Sequence, residues 1–150
     1  MPGSESAGFD RAEVIRQAIA SSQKLEQFIA DNQAEINKVS VFLRPLARSF
    51  FQSRAGQSPQ DWAQTLAELS ALLRRMEQSD AAAFASLAGS YPVLRQKLLQ
   101  LIDYCQAVPE QAARFGQGAA TVSGLKQYMS ERQEQIRSLI ASLDAVHTAP

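Results

Sequence analysis

The chain has 150 residues, 45% of them hydrophobic and 20% charged, with fifteen basic side chains against fifteen acidic ones. That is enough chain for one domain with a real core, and zero net charge argues against a globally basic nucleic-acid binder. Cys105 is the only cysteine, so an intrachain disulfide is excluded, and a free thiol suits a reducing, cytoplasmic setting.

Residues 1–8, MPGSESAG, carry neither the basic n-region nor the apolar core of a secretory leader and read as a polar tail. A single helical domain is expected over residues 9–146. Valine and isoleucine are sparse, and no useful stretch alternates apolar with polar residues. Spacings of three and four dominate, which is the signature of helices. From Ile15 to Phe50 this rhythm runs for five heptads, with only Ser22 and Asn32 polar in the row. Asp10, with Glu13 three residues on, forms an Asp-x-x-Glu variant of the capping box at its start. Pro45 falls on the outer side of this row. A proline there removes one backbone bond and bends a helix, so the expectation is a continuous, Pro-kinked first helix.

Gly56 is placed to cap that helix, and Ser58-Pro59 to start the next, with Asp61 adding negative charge to its first turn. The second helix carries Trp62, Leu69 and Met76 on one stripe, widened by Leu66 and Leu73, and ends near Gln78. Ser79 and Asp80 can cap a third, which runs through Phe84, Tyr91, Leu98 and Cys105. Gly89 and Pro92 are expected to kink or break it at GSYP, and Pro109 to end it. The fourth carries Val122, Met129, Arg132, Ile136 and Leu143, followed by a frayed tail at 147–150. The longest uncharged run, Ala81–Leu94, is too short to cross a bilayer.

Four segments in one heptad phase, joined by short connections, predict an all-α fold: an antiparallel four-helix bundle of up-down type with a long, Pro-kinked first helix. The lengths do not match. A helix over 9–52 would be roughly 66 Å long, against roughly 30 Å for 59–78. Either the first helix breaks near Asn32, or its overhang packs on another chain. The unbroken heptad phase through Asn32 favours the continuous helix and overhang.

The chemistry-bearing residues are few. His147 is the only histidine and sits next to the end, so neither a di-iron nor a zinc ligand set can be assembled. Cys105 occupies a core position of its heptad, where a thiol is inert. GQGAATVSGLK, residues 116–126, has the wrong spacing for a phosphate loop and reads as an interhelical connection. Glu131 and Glu134 lie on an outer face with Arg137 and Lys126. No catalytic constellation emerges, and no cofactor or metal site is expected.

Two polar residues sit in the seam rows. Asn32 can fix register. Arg132 either snorkels outward or presents a charge to a partner or ligand. From Ile36 to Gln60 there are four cations, Lys38, Arg44, Arg48 and Arg54, and no Asp or Glu. Val41, Arg44, Arg48, Phe51 and Arg54 are therefore the expected partner-binding surface, since aromatics and arginines dominate binding hot spots. Reversing the charge of Arg44 and Arg48 is expected to leave the fold intact.

The functional expectation is a non-enzymatic protein–protein interaction module: an adaptor, a chaperone or an assembly factor. Its partner is another protein, a second copy included, through the first-helix overhang. A sensory bundle holding a small molecule near Arg132, Tyr128, Tyr104 or Trp62 comes second. An anionic membrane surface ranks below these. Nucleic acid is disfavoured because its affinity needs several phosphate contacts. No motif in the chain points to a particular family.

Overall fold

The structure is a computed structural model and describes residues 10–148. The chain is all-α. Its helices are α1 (Arg11–Lys38), α2 (Arg44–Ala55), α3 (Pro59–Glu77), α4 (Ala81–Arg114) and α5 (Ala119–Thr148). The expected tail at residues 1–8 lies outside the described residues. Of the tail expected at 147–150, His147 and Thr148 belong to α5, the His147 ring standing 5.1 Å from that of Tyr91, and the rest lies outside the described residues.

The start signals work as their chemistry requires. The Asp10 carboxylate accepts from Glu13 N at 3.3 Å, Ser58 Oγ from Asp61 N at 3.1 Å, and Asp80 from Ala82 N at 3.0 Å. Each side chain satisfies one of the N–H groups that a helix leaves open at its first turn. Gly56 closes α2 at φ 88°, a left-handed conformation natural to glycine, and a Cβ there would run into the Gln100 side chain.

The long first helix is corrected. α1 stops at Lys38, Val39 turns extended, and the chain restarts at Arg44 with Pro45 in the first turn of α2. A proline interior to a helix clashes with the carbonyl four residues back, whereas in a first turn its missing N–H costs nothing. Val39, Ser40 and Val41 before it are weak helix formers. The expected overhang is therefore absent. α2 turns back along α4, with Phe51 against Tyr104 and Gly56 beside Gln100.

α4 corrects the opposite expectation. It runs unbroken through GSYP, through Pro92 and through Pro109. Pro92 and Ala88, whose carbonyl loses its partner, are both exposed, so water can take the free acceptor. Pro109 is buried, and nothing in the structure explains how the freed Cys105 carbonyl is compensated.

Side-chain pairs give the helix directions. Arg11 stacks on Phe84 at one end and Asn32 meets Tyr104 farther along, so α1 and α4 run parallel. Ser22 Oγ lies 3.0 Å from Ser70 Oγ, where α3 descends against α1. Gln133 donates to the Ile102 carbonyl at 3.2 Å, and Tyr91 to that of Ile140 at 3.2 Å, so α5 descends along α4. The buried stripe follows the heptads: Ile15, Ala18, Leu25 and Ile29 on α1, Trp62, Leu66 and Leu73 on α3, Leu98 and Leu101 on α4, Ile136 and Leu143 on α5. Trp62 also donates its indole N–H to the Ala55 carbonyl at 2.9 Å, tying α3 to the end of α2.

The far end of the α4–α5 pair is held by charge. Arg95 donates to Asp144 at 3.0 and 3.3 Å, and the Tyr91 hydroxyl donates to the same carboxylate. Burial acts to raise the Asp144 pKa, but the hydrogen bonds from Arg95 and Tyr91 and the Arg95 charge outweigh it and hold the carboxyl below its usual range. A depressed carboxyl pKa stabilises the fold above its unfolded value, and that contribution is lost as pH falls through the folded one. Asp144→Asn should therefore flatten the acid side of the stability–pH profile, measured as urea midpoints from neutral to acidic pH. The side chains of Arg95 and Asp144 are 44% and 40% exposed, and water screens the pair. The expected loss at neutral pH is thus only about 0.5–1 kcal/mol; an unchanged acid limb would refute the assignment.

Candidate functional site: an apolar groove at one end of the molecule

The helix directions bring the last turns of α1 and α4 together with the first turns of α2 and α5. α2 packs on α4 but barely meets α1, and this leaves a groove of about 1050 Å³. α1 supplies Asn32, Ile36 and Val39 to its floor, with Asp31, Glu35 and Lys38 on the rim. α2 and the residue before it supply Leu43, Leu46, Ala47 and Phe50. α4 contributes Tyr104, Val108, Ala112 and the following Phe115; α5 contributes Leu125, Tyr128 and Met129. The walls are mostly apolar, with Gln111, Gln117 and Thr121 among them, and the charged side chains lining the groove all come from α1.

Leu43 and Leu46 are the surprise here. The heptad row places them in the core beside Phe50, but they are more than half exposed, and Phe51 takes the buried position instead, at 0%. The break at 39–43 changes the phase of the helix. Core positions in α2 become Phe51 and Ala55, four residues apart, and the older row becomes the groove wall.

The expected partner-binding surface is therefore not one face. Val41 is exposed on the α1–α2 connection. Arg44 is half-buried, and its guanidinium donates to the Val39 carbonyl at 3.0 Å and the Asn37 carbonyl at 2.9 Å. It caps the end of α1, which leaves carbonyls unpaired, and a Glu in its place would add negative charge to a negative helix end. The expectation that reversing Arg44 and Arg48 leaves the fold intact therefore meets a capping contact at Arg44. Arg48 is exposed and borders a second, smaller cleft of about 300 Å³ with Gln33, Asn37 and Gln52. Phe51 is core, with its ring 4.5 Å from that of Tyr104. Arg54 is exposed, 6.0 Å from the Phe50 ring.

Asn32 is buried at the groove floor, where its Oδ1 accepts from the Tyr104 hydroxyl at 2.7 Å and its Nδ2 donates to the Phe28 carbonyl at 3.3 Å. Burial pushes the Tyr104 phenol up, which keeps it a donor at neutral pH. Arg132 does not line the groove. Its guanidinium stands 4.4 Å over the Tyr128 ring, Nη1 donates to Gln135 at 3.2 Å, and Nη2 lies 3.6 Å from Glu131. Its Nε is buried without a hydrogen-bond partner. Cys105 is buried beneath, and burial pushes its thiol up to about 12, against the pull of Arg132, so it stays an unreactive thiol.

Trp62 is fully buried away from the groove, whereas Tyr104 and Tyr128 line it. Leu46 and Leu125 read as core positions in the heptad rows, and Phe115 is not singled out by sequence. The signal that could have found them is Pro45 read as a helix start, which moves the row bearing Leu46 off the core. No family model matches the chain, and no curated protein or solved structure was found to be similar to it.

Proposed function

We propose that the chain is an up-down four-helix bundle with one short inserted helix, α2, and that it works as a non-enzymatic interaction module by seating an amphipathic helix of another protein in its end groove. The groove carries this reading: it is open, mostly apolar, and bordered by exposed Leu43 and Leu46. Its walls span Tyr104 to Phe115 on α4, about 16 Å of helix axis, which matches roughly three turns of a guest. Such a guest presents anchors at i, i+3 or i+4, and i+7. Glu35 is paired with Lys38 at 3.0 Å, so Asp31 is the rim carboxylate that favours a basic residue on the flank facing it.

A photoreactive benzophenone side chain at position 43, which also borders the groove, tests this reading. The expected product is a cross-link to one partner, with reacted positions spaced three and four apart, and a loss of capture of about tenfold or more on Leu46→Asp, the scale of one well-seated anchor. Capture that ignores Leu46→Asp would overturn it. A small apolar ligand is the second reading, supported by Tyr104 and Tyr128 in the groove; there the cross-link would carry a small mass and no peptide.

A further inference from the structure

We infer that the end of the molecule bearing the α1–α2 and α4–α5 connections docks on an anionic membrane surface, with Val41, Phe42 and Phe115 entering the boundary between headgroups and acyl chains. This goes beyond the groove reading, because Val41 and Phe42 are not part of the groove wall.

Phe42 is 93% exposed, Val41 71% and Phe115 65%. A folded chain gains nothing from large apolar side chains held in water, and a patch of them marks a contact surface. Phe42 and Phe115 belong to different connections. The two connections lie at the same end, since Leu43 and Phe115 both border the groove mouth. Val41 and Phe42 stand outside the groove, whereas Phe115 is at its edge. A protruding apolar tip suits insertion into a soft interface, whereas a protein partner is better held by the concave groove beside it.

The two connections and the segments after them are biased to positive charge, although Asp31 and Glu35 stand on the groove rim at the same end. Residues 36–60 hold Lys38, Arg44, Arg48 and Arg54 without a carboxylate, and residues 111–130 hold Arg114 and Lys126 without one. In a chain of zero net charge this is a strong local bias. Lys38 is paired with Glu35 and Arg44 is engaged with α1, but Arg48, Arg114 and Lys126 are exposed. Basic residues beside an apolar insert are what an anionic lipid surface attracts.

The backbone of the tip is prepared for the same environment. Leu43 N and Arg44 N both donate to the Ser40 carbonyl, at 2.9 and 3.0 Å, and Val39 N donates to Ile36 at 3.1 Å. Arg44 fills the carbonyls of Asn37 and Val39. In the other connection, Phe115 N, Gly116 N and Gln117 N donate to Gln111, Ala113 and Ala112, each at 3.1 Å. A turn that leaves water must satisfy its polar groups internally, and these bonds do so for part of each turn, with Val41 N and Phe42 N donating in none of them.

Vesicle co-sedimentation of the full chain tests the proposal, with phosphatidylcholine vesicles compared to the same lipid mixed with phosphatidylserine. The mixed vesicles are expected to bind about tenfold or more tightly. Binding should weaken steeply as salt rises from about 0.1 M to about 1 M, which shortens the screening length from about 10 Å to about 3 Å. Phe42→Ser with Phe115→Ser should lower it at least tenfold while the thermal melt stays in place, because Phe42 and Phe115 are both largely exposed. The Phe42→Trp variant adds a direct readout: brominated lipid should quench its new fluorescence and spare that of buried Trp62. Leu46→Asp is expected to keep vesicle binding, which separates this proposal from the groove reading. No binding to the anionic vesicles, or binding indifferent to Phe42 and Phe115, would overturn it. So would a Phe42-dependent dimer without lipid, which would make the patch an interface between copies.

Discussion

Phe51→Ala is expected to lower the unfolding free energy by about 3–5 kcal/mol, the range for emptying a buried aromatic site. The same change at Phe42, nine positions earlier, should cost about 0.5 kcal/mol or less, as exposed sites do. Phe51 is wholly buried, with its ring 4.5 Å from Tyr104 and tilted 56° to it. α2 has only twelve residues. An isolated helix that short does not persist in water, so it exists through its docking. Phe51, Ala55 and the Trp62 bond to the Ala55 carbonyl are that docking. Losing Phe51 should therefore release α2 from α4 and remove the groove wall made by Leu46, Ala47 and Phe50. Urea denaturation gives the stability, and hydrogen exchange of the α2 amides gives the undocking. A loss below about 1 kcal/mol with unchanged α2 protection would mean that something else holds the helix.

This contrast marks where the sequence was legible. The α1 seam from Ile15 to Ile36 is buried as the heptad requires, because one straight helix carries one phase. Asp10, Ser58 and Asp80 were readable as caps because their chemistry is local. Heptad counting, however, tracks residues and not the helix axis. Across residues 39–43 the axis changes while the three-four rhythm continues, so Leu43 and Leu46 looked like core. A groove wall needs apolar residues at the same period as a seam, so periodicity alone cannot separate them. Proline was equally ambiguous. Pro45 starts a helix, whereas Pro92 and Pro109 sit inside one. The flanks differ: weak formers Val39-Ser40-Val41 precede Pro45, whereas leucine-rich turns follow Pro92 and pack on α5. The exposed arginines Arg48 and Arg54 were legible as surface. The capping role of Arg44 was not, because it depends on a chain reversal that the sequence does not announce.

Tyr104→Phe should cost about 1–3 kcal/mol, because it leaves the buried Asn32 carbonyl oxygen without its donor. The two residues are 72 positions apart and join α1 to α4 by the 2.7 Å bond at the groove floor. Asn32→Leu should cost a similar amount, since it strands the Tyr104 hydroxyl, which is only 5% exposed as a residue. The double change removes both polar groups together and should recover much of the loss, leaving an apolar floor. The coupling energy of this cycle is expected to be at least about 1 kcal/mol, measured from urea midpoints of all four proteins. Additive single changes would show that the two residues do not depend on each other. Recovery of stability also isolates what the pair does besides stabilise. A polar pair in a seam penalises slipped arrangements, in which each partner would be buried alone. α1 and α4 carry similar rows of leucine, isoleucine and alanine, and an apolar pair would tolerate a slip between them. The double variant should therefore keep its melting temperature yet lose sharpness at the groove: capture through position 43 should fall and α1 amide protection near Ile36 should drop. If stability returns and the groove behaves as before, the pair is interchangeable with packing, and register is set elsewhere along the Ile15–Ile36 seam.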